Sequence, residues 1–372
     1  MTSTTTTTQH STRSVAVAEA PSQLLDVVVI GAGQAGLSMA WYLARRGVRY
    51  LLVDSGSSIG ESWRNRYDSL RLFSPAQYDG LPGADFPAAP DTYPGKDDVA
   101  GFLSDYALQN AFPILVHTAV TRMTRAGGVF ELHTTAGTMQ ARRVVVATGA
   151  CHRPFTPSLD KGLRGVMQLH SADYRRPSDI PAGRVLVVGA ANSGLQIAAD
   201  LVGTHEVTVA VGSRPPAVPQ RIAGRDLFWW FSRLGLMSLR PGSALARRIR
   251  ARGDVVIGAR SRDLAARGVD FRPRLVGASG TVAQFADGTE QRIDAVIWAT
   301  GYRSDYSWID IPGSADEHGQ PLHVEGRSLA VPGLWFLGLP WQRSRGSSLL
   351  GFVQHDAAHL DTQMFQTQGV QK

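Results

Sequence analysis

The sequence has a single cysteine, Cys151, among its 372 residues. One cysteine excludes an internal disulfide, and it also excludes the Cys-x-x-Cys pair of dithiol redox enzymes. Any redox function must therefore pass its electrons to something other than a pair of thiols. So little cysteine is also typical of the reducing cytoplasm, where we expect this protein to act.

Long apolar runs are missing as well. No window approaches the roughly 18 to 20 apolar residues that a transmembrane helix needs, so we expect no membrane span. Residues 1–22 are rich in Thr and Ser and lack the apolar segment of a signal peptide. We interpret them as a disordered tail.

The charge balance does not indicate a nucleic-acid partner. Lys and Arg total 38 and Asp and Glu total 31, so the net charge is 38 − 31 = +7. The basic residues form no dense run, and so small an excess over the whole length is weak evidence for nucleic-acid binding. They could equally favour anionic cofactors and substrates.

The first positive signal is the glycine-rich segment Gly31-Ala32-Gly33-Gln34-Ala35-Gly36. In this G-x-G-x-x-G pattern Gly31 permits a tight turn, and Gly33 lets the backbone approach a pyrophosphate. Gly36 lets the following helix pack closely on the preceding strand. The pattern therefore predicts a dinucleotide site.

The context of this segment strengthens the interpretation. An apolar strand at 24–30 precedes it, and a helix at 34–46 and a strand at 50–53 follow. The N-terminus of such a helix attracts phosphate groups. The second strand ends at Asp54, where an acid can accept hydrogen bonds from a ribose.

The same architecture is repeated in the middle of the chain. A strand at 184–188 leads into Gly189-Ala190-Ala191-Asn192-Ser193-Gly194, which opens a helix at 193–201, and a strand at 207–211 follows. Ala191 replaces the middle glycine, but it adds only a methyl group, so a slightly displaced pyrophosphate can still bind. The alternative is a degenerate repeat that binds no ligand.

The end of the second unit indicates which nucleotide binds there. No acid follows its second strand, and the chain continues instead with Ser213-Arg214. An acid would repel a 2′-phosphate, whereas Ser213 and Arg214 can bind one. The segment thus favours NADPH over NADH.

In order and spacing these motifs resemble those of class B flavin-containing monooxygenases, in particular the compact bacterial flavoprotein monooxygenases and the plant indole-pyruvate monooxygenases. The resemblance covers about residues 24–360. Besides the two glycine turns, it rests on Gly60-Glu61-Ser62-Trp63-Arg64, Ala147-Thr148-Gly149, His170-Ser171-Ala172-Asp173-Tyr174-Arg175, Ala299-Thr300-Gly301-Tyr302 and Arg345-Gly346-Ser347-Ser348-Leu349-Leu350-Gly351.

Two segments depart from the family pattern. Four residues separate Leu163-Arg164-Gly165 from His170, whereas in the family three residues separate a Phe-x-Gly segment from the histidine. Ser74-Pro75-Ala76-Gln77 stands where many members place an asparagine near the flavin.

The resemblance implies an α/β fold with two Rossmann-like dinucleotide-binding domains. An NADPH domain at 166–289 would be inserted into an FAD domain made of 23–165 and 290–372. It further implies that NADPH reduces FAD, and that reduced flavin and O2 give a C4a-(hydro)peroxyflavin. One oxygen atom would then pass to nitrogen, sulfur or a carbonyl of a small organic substrate. A homodimer is possible.

The resemblance also assigns residues to cofactors, although it assigns no catalytic residue. The FAD side comprises Gly31, Gly33, Gln34, Gly36, Asp54, Trp63, Arg64, Thr148, Gly149, Gly338, Ser348, Leu349 and Leu350. The NADPH side comprises Gly189, Asn192, Ser193, Gly194, Ser213 and Arg214. The return from the inserted domain comprises Thr300, Gly301 and Tyr302.

Two other functions stay open. One is an NAD(P)H-dependent flavin reductase or oxidase that inserts no oxygen, and the other is a non-catalytic flavoprotein sensor. A pyridine nucleotide–disulfide reductase has the same architecture but needs a dithiol, which a lone Cys151 cannot provide.

Several conspicuous residues receive a structural interpretation. We expect His170 to join the domains and Cys151 to have a packing role and not to be a reactive thiol. The segment His355-Asp356-Ala357-Ala358-His359 is similar to a zinc motif but lacks its Glu and a third ligand, so we expect no metal. The aromatic cluster at 228–231 is expected to line a pocket or lie in the core.

Overall fold

Two sheets, each built around one of the glycine turns, organise the chain. The computed structural model describes residues 23–212, 217–252, 255–258 and 260–366. The expectation of an α/β fold with Rossmann-like units is confirmed. The tail at 1–22, Ser213 and Arg214 lie outside the described residues.

The first sheet has a parallel centre with an antiparallel hairpin and antiparallel edge strands. Its strand order is His323–Val324, Arg327–Ser328, Leu334–Phe336, Gly137–Val146, Leu25–Ile30, Tyr50–Val53 and Ile114–Leu115. Val120–Ala126 and Val129–Thr134 form the hairpin that pairs with Gly137–Val146.

The central strand of this sheet is buried on both faces, as a continuous apolar run predicts. Val27 and Val29 pack into one hydrophobic cluster, whereas Val28 and Ile30 pack into another on the opposite face. Apolar residues on both faces of this strand thus hold helices on one side and the hairpin on the other.

The second sheet is parallel throughout. Its strand order is Asp270–Pro273, Glu206–Val211, Arg184–Val188, Ala295–Trp298 and Met167–His170. Ala295–Trp298 lies inside the range that the sequence analysis placed in the first domain, yet it pairs with Arg184–Val188. Residue 290 therefore does not separate the two sheets.

The helices lie against these sheets and between them. They are Gln34–Arg46, Glu61–Arg64, Lys96–Gln109, Asn192–Leu201, Leu227–Arg233, Ala244–Arg252, Ser261–Ala266 and Val353–Phe365. The predicted helix at 34–46 is confirmed to the residue, and Gly47 ends it in the left-handed region with φ of 65°.

Shorter strands complete the fold. They are Arg153–Pro154, Ala217–Val218, Arg221–Ile222, Arg225–Asp226, Val256–Ile257, Leu275–Ser279, Val282–Phe285, Glu290–Arg292 and Tyr302–Arg303. Two of the helices, Leu227–Arg233 and Ala244–Arg252, lie in a part of the chain for which the sequence analysis predicts no helix. Asp226 caps the first of these by accepting a hydrogen bond from the Phe228 backbone N–H at 2.7 Å.

Candidate cofactor and active site

The first glycine turn is fixed by two close backbone approaches. Gly31 has φ of 103°, and a Cβ there would lie 2.6 Å from the Ala147 carbonyl oxygen. A Cβ on Gly36 would overlap the carbonyl oxygen of Gly31. A Cβ on Gly33, in contrast, would meet no atom within 4 Å. Gly31 and Gly36 thus serve the fold, and Gly33 faces open space where a ligand can approach.

The second glycine turn has the same construction. Gly189 has φ of 118°, and a Cβ on it would overlap the Ala299 carbonyl oxygen. A Cβ on Gly194 would overlap the Gly189 carbonyl oxygen. Ala191 has φ of −85° and ψ of −176°, close to the −77° and −171° of Gly33. This conformation suits any residue, so Ala191 leaves the turn intact.

The two Ala-Thr-Gly segments have matching positions in the fold. Ala147 donates its backbone N–H to Ile30 at 2.8 Å, and Ala299 donates its own to Val188 at 2.9 Å. Each segment therefore continues the strand beside a glycine turn and supplies the carbonyl against which that turn packs. The sequence shows both segments, but only the pairing of the strands reveals this shared position.

A cavity of about 770 Å³ opens at the carboxyl ends of the first sheet's parallel strands. Open α/β sheets bind their ligands at this edge. The cavity brings together more than half of the residues predicted as cofactor-binding: Gly31, Gly33, Gln34, Asp54, Trp63, Thr148, Gly149, Ser193, Tyr302, Gly338, Ser348, Leu349 and Leu350.

Asp54 lies at the rim of the glycine turn, as its position after the second strand predicts. Its Oδ2 accepts a hydrogen bond from the Ala32 N–H at 2.6 Å, and its Oδ1 accepts one from the Gly56 N–H at 2.8 Å. These bonds hold the carboxylate beside the cavity, where it retains acceptor capacity for a ribose diol.

Trp63 and Arg64 differ in position although they are neighbours in the sequence. Trp63 lines the cavity, and its indole N–H donates to Gln34 Oε1 at 3.5 Å. Arg64 is not among the lining residues, and its guanidinium donates to Ser58 Oγ and to the Ile59 carbonyl. Its charge thus holds the loop before its own helix.

Several lining residues escaped the sequence analysis. Tyr67 donates to Gln196 Oε1 at 2.6 Å, and Arg66 donates to the Tyr302 hydroxyl at 2.9 Å. All four line the cavity, and they join the segment after Glu61–Arg64 to the second unit. No local pattern identifies Arg66, Tyr67 or Gln196, because each bonds to a residue more than a hundred positions away.

Fewer of the predicted residues of the second glycine turn than of the first line this cavity. Ser193 lines it, whereas Gly189, Asn192 and Gly194 do not. The Asn192 side chain donates to the Val255 carbonyl at 3.4 Å and accepts from the Ile257 N–H at 3.2 Å. Its carboxamide therefore fastens the segment 255–257 over the start of the helix.

The segment Thr300-Gly301-Tyr302, predicted to lead back from the inserted domain, bonds to the segments that contain Phe155 and His170. Thr300 Oγ1 donates to the Phe155 carbonyl, and the Phe155 N–H donates to the Gly301 carbonyl at 3.0 Å. His170 Nε2 also lies 3.0 Å from the Gly301 carbonyl, and His170 Nδ1 accepts from the Ala172 N–H at 3.1 Å. Burial lowers the pKa of His170. Both ring nitrogens are thus occupied at the junction of the units.

Two other expectations have different outcomes. The packing role expected for Cys151 does not agree with its position, because Cys151 is exposed and lines the cavity. Phe228 is buried, as expected, and stacks on Phe73 in the cavity wall with ring centroids 6.0 Å apart. Within the part of the chain that the structure describes, no cluster of three His, Cys, Asp or Glu side chains could hold a metal.

The departure at Ser74-Pro75-Ala76-Gln77 has a defined geometry. Ser74 lines the cavity and donates to Asp79 Oδ1 at 2.6 Å, whereas Gln77 lies outside it and bonds with Asp91. Ser74 and Asp79 are only 6% and 1% exposed. Burial raises the pKa of Asp79 to about 7, and the hydrogen bond from Ser74 partly offsets this. Nothing in the sequence distinguishes this acid from an exposed loop aspartate.

The fold and the cavity define an oxidoreductase with two dinucleotide turns in one chain. The family model described as pyridine nucleotide-disulphide oxidoreductase matches residues 28–220. A protein named uncharacterized oxidoreductase CzcO-like, from Geobacillus kaustophilus, is 42% identical over 91% of this chain and 97% of its own length. Indole-3-pyruvate monooxygenase YUCCA8 of Oryza sativa is 29% identical over 87% of this chain and 85% of its own.

Solved structures agree with this assignment. A flavin-containing monooxygenase from Stenotrophomonas maltophilia matches with a TM-score of 0.78 and 33% identity, over 91% of this chain and 98% of that one. This chain therefore belongs to the pyridine nucleotide-disulphide oxidoreductase family and, within it, to the flavin-containing monooxygenases. It is a flavin-dependent oxidoreductase that uses a nicotinamide cofactor. Among the described residues, no helix combines the length and apolar character that crossing a membrane requires.

Proposed function

We propose that this protein is an NADPH-dependent FAD monooxygenase that transfers one atom of O2 to nitrogen, sulfur or a carbonyl carbon of a small organic substrate. The observation that carries the proposal is the shared cavity, which Gly33 of the first turn and Ser193 of the second both line. Two cofactors bound at these turns would meet in one enclosure, as hydride transfer between them requires.

The residues present fit a dinucleotide at the first turn. The open space before Gly33, the helix that begins at Gln34 and the carboxylate of Asp54 match a pyrophosphate and its ribose. When bound there, FAD would supply the chemistry that activates oxygen once NADPH has reduced it. Gly338 and the segment Ser348-Leu349-Leu350 would lie against the flavin ring.

The second turn would hold NADPH through Gly189, Asn192, Ser193 and Gly194. Because the carboxamide of Asn192 is bonded to 255–257, we assign Asn192 to the shape of this site. Ser213 and Arg214 would bind the 2′-phosphate. Thr148, Gly149, Thr300, Gly301 and Tyr302 would close the passage between the two cofactors and restrict the entry of water.

The wall of the cavity also suggests the character of the substrate. Leu70, Leu72, Phe73 and Trp308 present apolar surface beside the proposed flavin position. Such a wall favours a small, largely apolar molecule with one reactive heteroatom or carbonyl.

Isotopically labelled oxygen tests the proposal directly. The purified protein is expected to be yellow and to oxidise NADPH faster when a substrate is present, with one labelled atom in the organic product. Stoichiometric hydrogen peroxide without labelled product would identify an oxidase or reductase instead. Slow NADPH oxidation that no compound stimulates would favour a non-catalytic sensor.

A further inference from the structure

One polar pair in the cavity wall is not among the residues assigned to either dinucleotide. Ser74 lines the cofactor cavity, and Asp79 lies behind it, out of contact with the cavity. The Ser74 hydroxyl donates to Asp79 Oδ1 at 2.6 Å. Asp79 Oδ2 is buried and has no hydrogen-bond partner among the described residues. A buried carboxylate with one oxygen unpartnered is costly, whereas a protonated carboxyl group is far less so.

The surroundings of Asp79 keep it in this position. The backbone of Tyr78 and Asp79 packs directly against Gly351, where a Cβ would overlap the Tyr78 carbonyl oxygen. Asp79 is therefore clamped between its own loop and the segment that follows Leu349-Leu350, which lines the cofactor cavity. This backbone packing fixes the position of Asp79 relative to Ser74.

A second cavity of about 380 Å³ adjoins the other side of this wall. Tyr78, Gly80 and Gly351 line it, so the residues on both sides of Asp79 face it. Of the ionisable side chains on the segments around Asp79, Tyr78, Asp85 and His355 line this second cavity, whereas Asp356 is buried and pairs with Arg343. No charged side chain accounts for the raised pKa of Asp79, which burial causes.

We propose that Ser74 and Asp79 form a proton-transfer pair, in which Asp79 holds a proton behind the cavity wall and Ser74 passes it to the reacting oxygen. This proposal rests on the monooxygenase function proposed above. That reaction converts NADPH, O2, substrate and one proton into NADP⁺, oxygenated product and water. The hydride of NADPH supplies two electrons, so one further proton must reach the oxygen atom that leaves as water.

The transfer balances without any additional reactant. For the transfer, the Ser74 hydroxyl turns from Asp79 toward the cavity, and the proton of Asp79 lies on Oδ1, the oxygen that faces Ser74. The Ser74 O–H bond then breaks as its proton passes to the departing oxygen, while the Asp79 Oδ1–H bond breaks and its proton restores the serine hydroxyl. Asp79 is left as a carboxylate, and it takes a proton back from water through the second cavity. Ser74 is thus the group that touches the reacting atoms, and Asp79 acts through it.

The test compares Asp79→Asn and Ser74→Ala with Asp361→Asn, a buried acid that pairs with Arg46 outside this wall. In the wild type, turnover is expected to fall as the pH rises through the Asp79 pKa. Asp79→Asn should reduce turnover about a hundredfold and remove this pH dependence. Ser74→Ala should do the same and Ser74→Thr should restore activity, whereas Asp361→Asn should keep the wild-type midpoint.

A second measurement does not depend on turnover. Infrared spectra of the protein should show a carboxylic-acid C=O band that disappears as the pH rises through the Asp79 pKa and is absent from Asp79→Asn. An Asp79→Asn protein with wild-type turnover and pH midpoint would overturn the proposal, as would an Asp79 that is ionised well below neutral pH. Wild-type protein that incorporates no labelled oxygen would instead overturn the proposed function. The serine variants decide the matter if Asp79→Asn does not fold.

Discussion

The glycines of the two turns have separable physical roles. Gly31, Gly36, Gly189 and Gly194 approach backbone oxygen atoms so closely that no side chain fits. Gly33 has ordinary extended backbone and free space in front of it. Its replacement should therefore affect a bound ligand and leave the fold unchanged, which makes Gly33 a direct probe of the cofactor assignment.

We expect Gly33→Ala to weaken FAD binding at least about tenfold, because the added methyl group occupies the approach path of the pyrophosphate. The melting temperature of the cofactor-free protein should not fall. Titration of apoprotein with FAD, followed by flavin fluorescence, measures the first quantity. Gly101→Ala is the matched control, since Gly101 lies in the helix Lys96–Gln109 with no atom within 4 Å of an added Cβ.

The control should raise stability by up to about 1 kcal/mol, because alanine favours a helix more than glycine does. It should leave the affinity for FAD unchanged. Equal affinities of Gly33→Ala and wild-type protein for FAD would show that the pyrophosphate does not pass over Gly33.

Asp79 should also give stability a distinct pH dependence. Burial raises its pKa in the folded protein from 3.8 to about 7. The folded state then binds more protons than the unfolded state between these values, so the contribution of Asp79 is fully present below pH 3.8 and is lost as the pH rises through about 7.

Urea unfolding at a series of pH values checks this expectation. Relative to wild type, Asp79→Asn should gain up to about 1.4 kcal/mol of stability per pH unit within that window, because an amide cannot ionise. A difference in unfolding free energy that stays constant with pH would show that Asp79 is already ionised in the folded state.

Among the elements, the first and last helices lie together beside the first sheet. Arg46, in the last turn of Gln34–Arg46, donates two hydrogen bonds to Asp361 of Val353–Phe365, at 2.7 and 2.8 Å. Asp361 is nearly buried, but the Arg46 side chain is 39% exposed. Solvent therefore screens much of this ion pair.

We expect Asp361→Asn to lower the free energy of unfolding by about 1 kcal/mol, because one of the two hydrogen bonds is lost and the other no longer joins two charges, while the apolar packing of the two helices remains. Denaturant unfolding measures the change. Arg46→Lys, which keeps the charge and loses the bidentate geometry, should produce a similar loss. A loss of several kcal/mol would show that the pair is much less screened than its exposure indicates.

The sequence predicts these elements where periodicity and turn chemistry agree. Gln34–Arg46 follows a glycine turn and ends at Gly47, and its bounds match the prediction. Leu227–Arg233 was missed, because it is a short helix in which Phe and Trp occupy four consecutive positions and no apolar face stands out. Long segments with one clear period are predictable, whereas short ones depend on contacts such as that of Phe228 with Phe73.

Some residues of the candidate site could likewise be predicted from the sequence, and others could not. Its glycines and Asp54 follow from local spacing, since they serve the strand–turn–helix in which they stand. Tyr67 and Gln196 could not be found, because they are 129 residues apart and meet only in the folded chain. Ser74 and Asp79 are close in the sequence, but the burial of this pair depends on packing against Gly351, which the sequence does not show. Arg64 was assigned from its neighbour Trp63, and its side chain bonds elsewhere.

At the scale of the molecule, the single cysteine favours electron transfer from the flavin to oxygen over the reduction of a disulfide. The family includes disulfide reductases, whose chemistry needs a pair of cysteines. Here Cys151 is the only cysteine, and it lies exposed in the wall of the cofactor cavity, immediately after Thr148-Gly149-Ala150. If electrons leave the flavin for oxygen, this thiol is near their route without being part of it.

We therefore expect Cys151→Ser to retain NADPH-dependent, substrate-stimulated oxygen uptake within about twofold of wild type, because serine is close in size and no bond to sulfur forms or breaks. A thiol reagent should react with one site in the wild type and none in the variant, and bulky reagents should inhibit by blocking the cavity. Oxygen electrode traces with and without substrate provide the measurement. Loss of flavin reduction in Cys151→Ser, with folding and FAD content intact, would mean that the thiol takes part in electron transfer and that oxygen is not the direct acceptor.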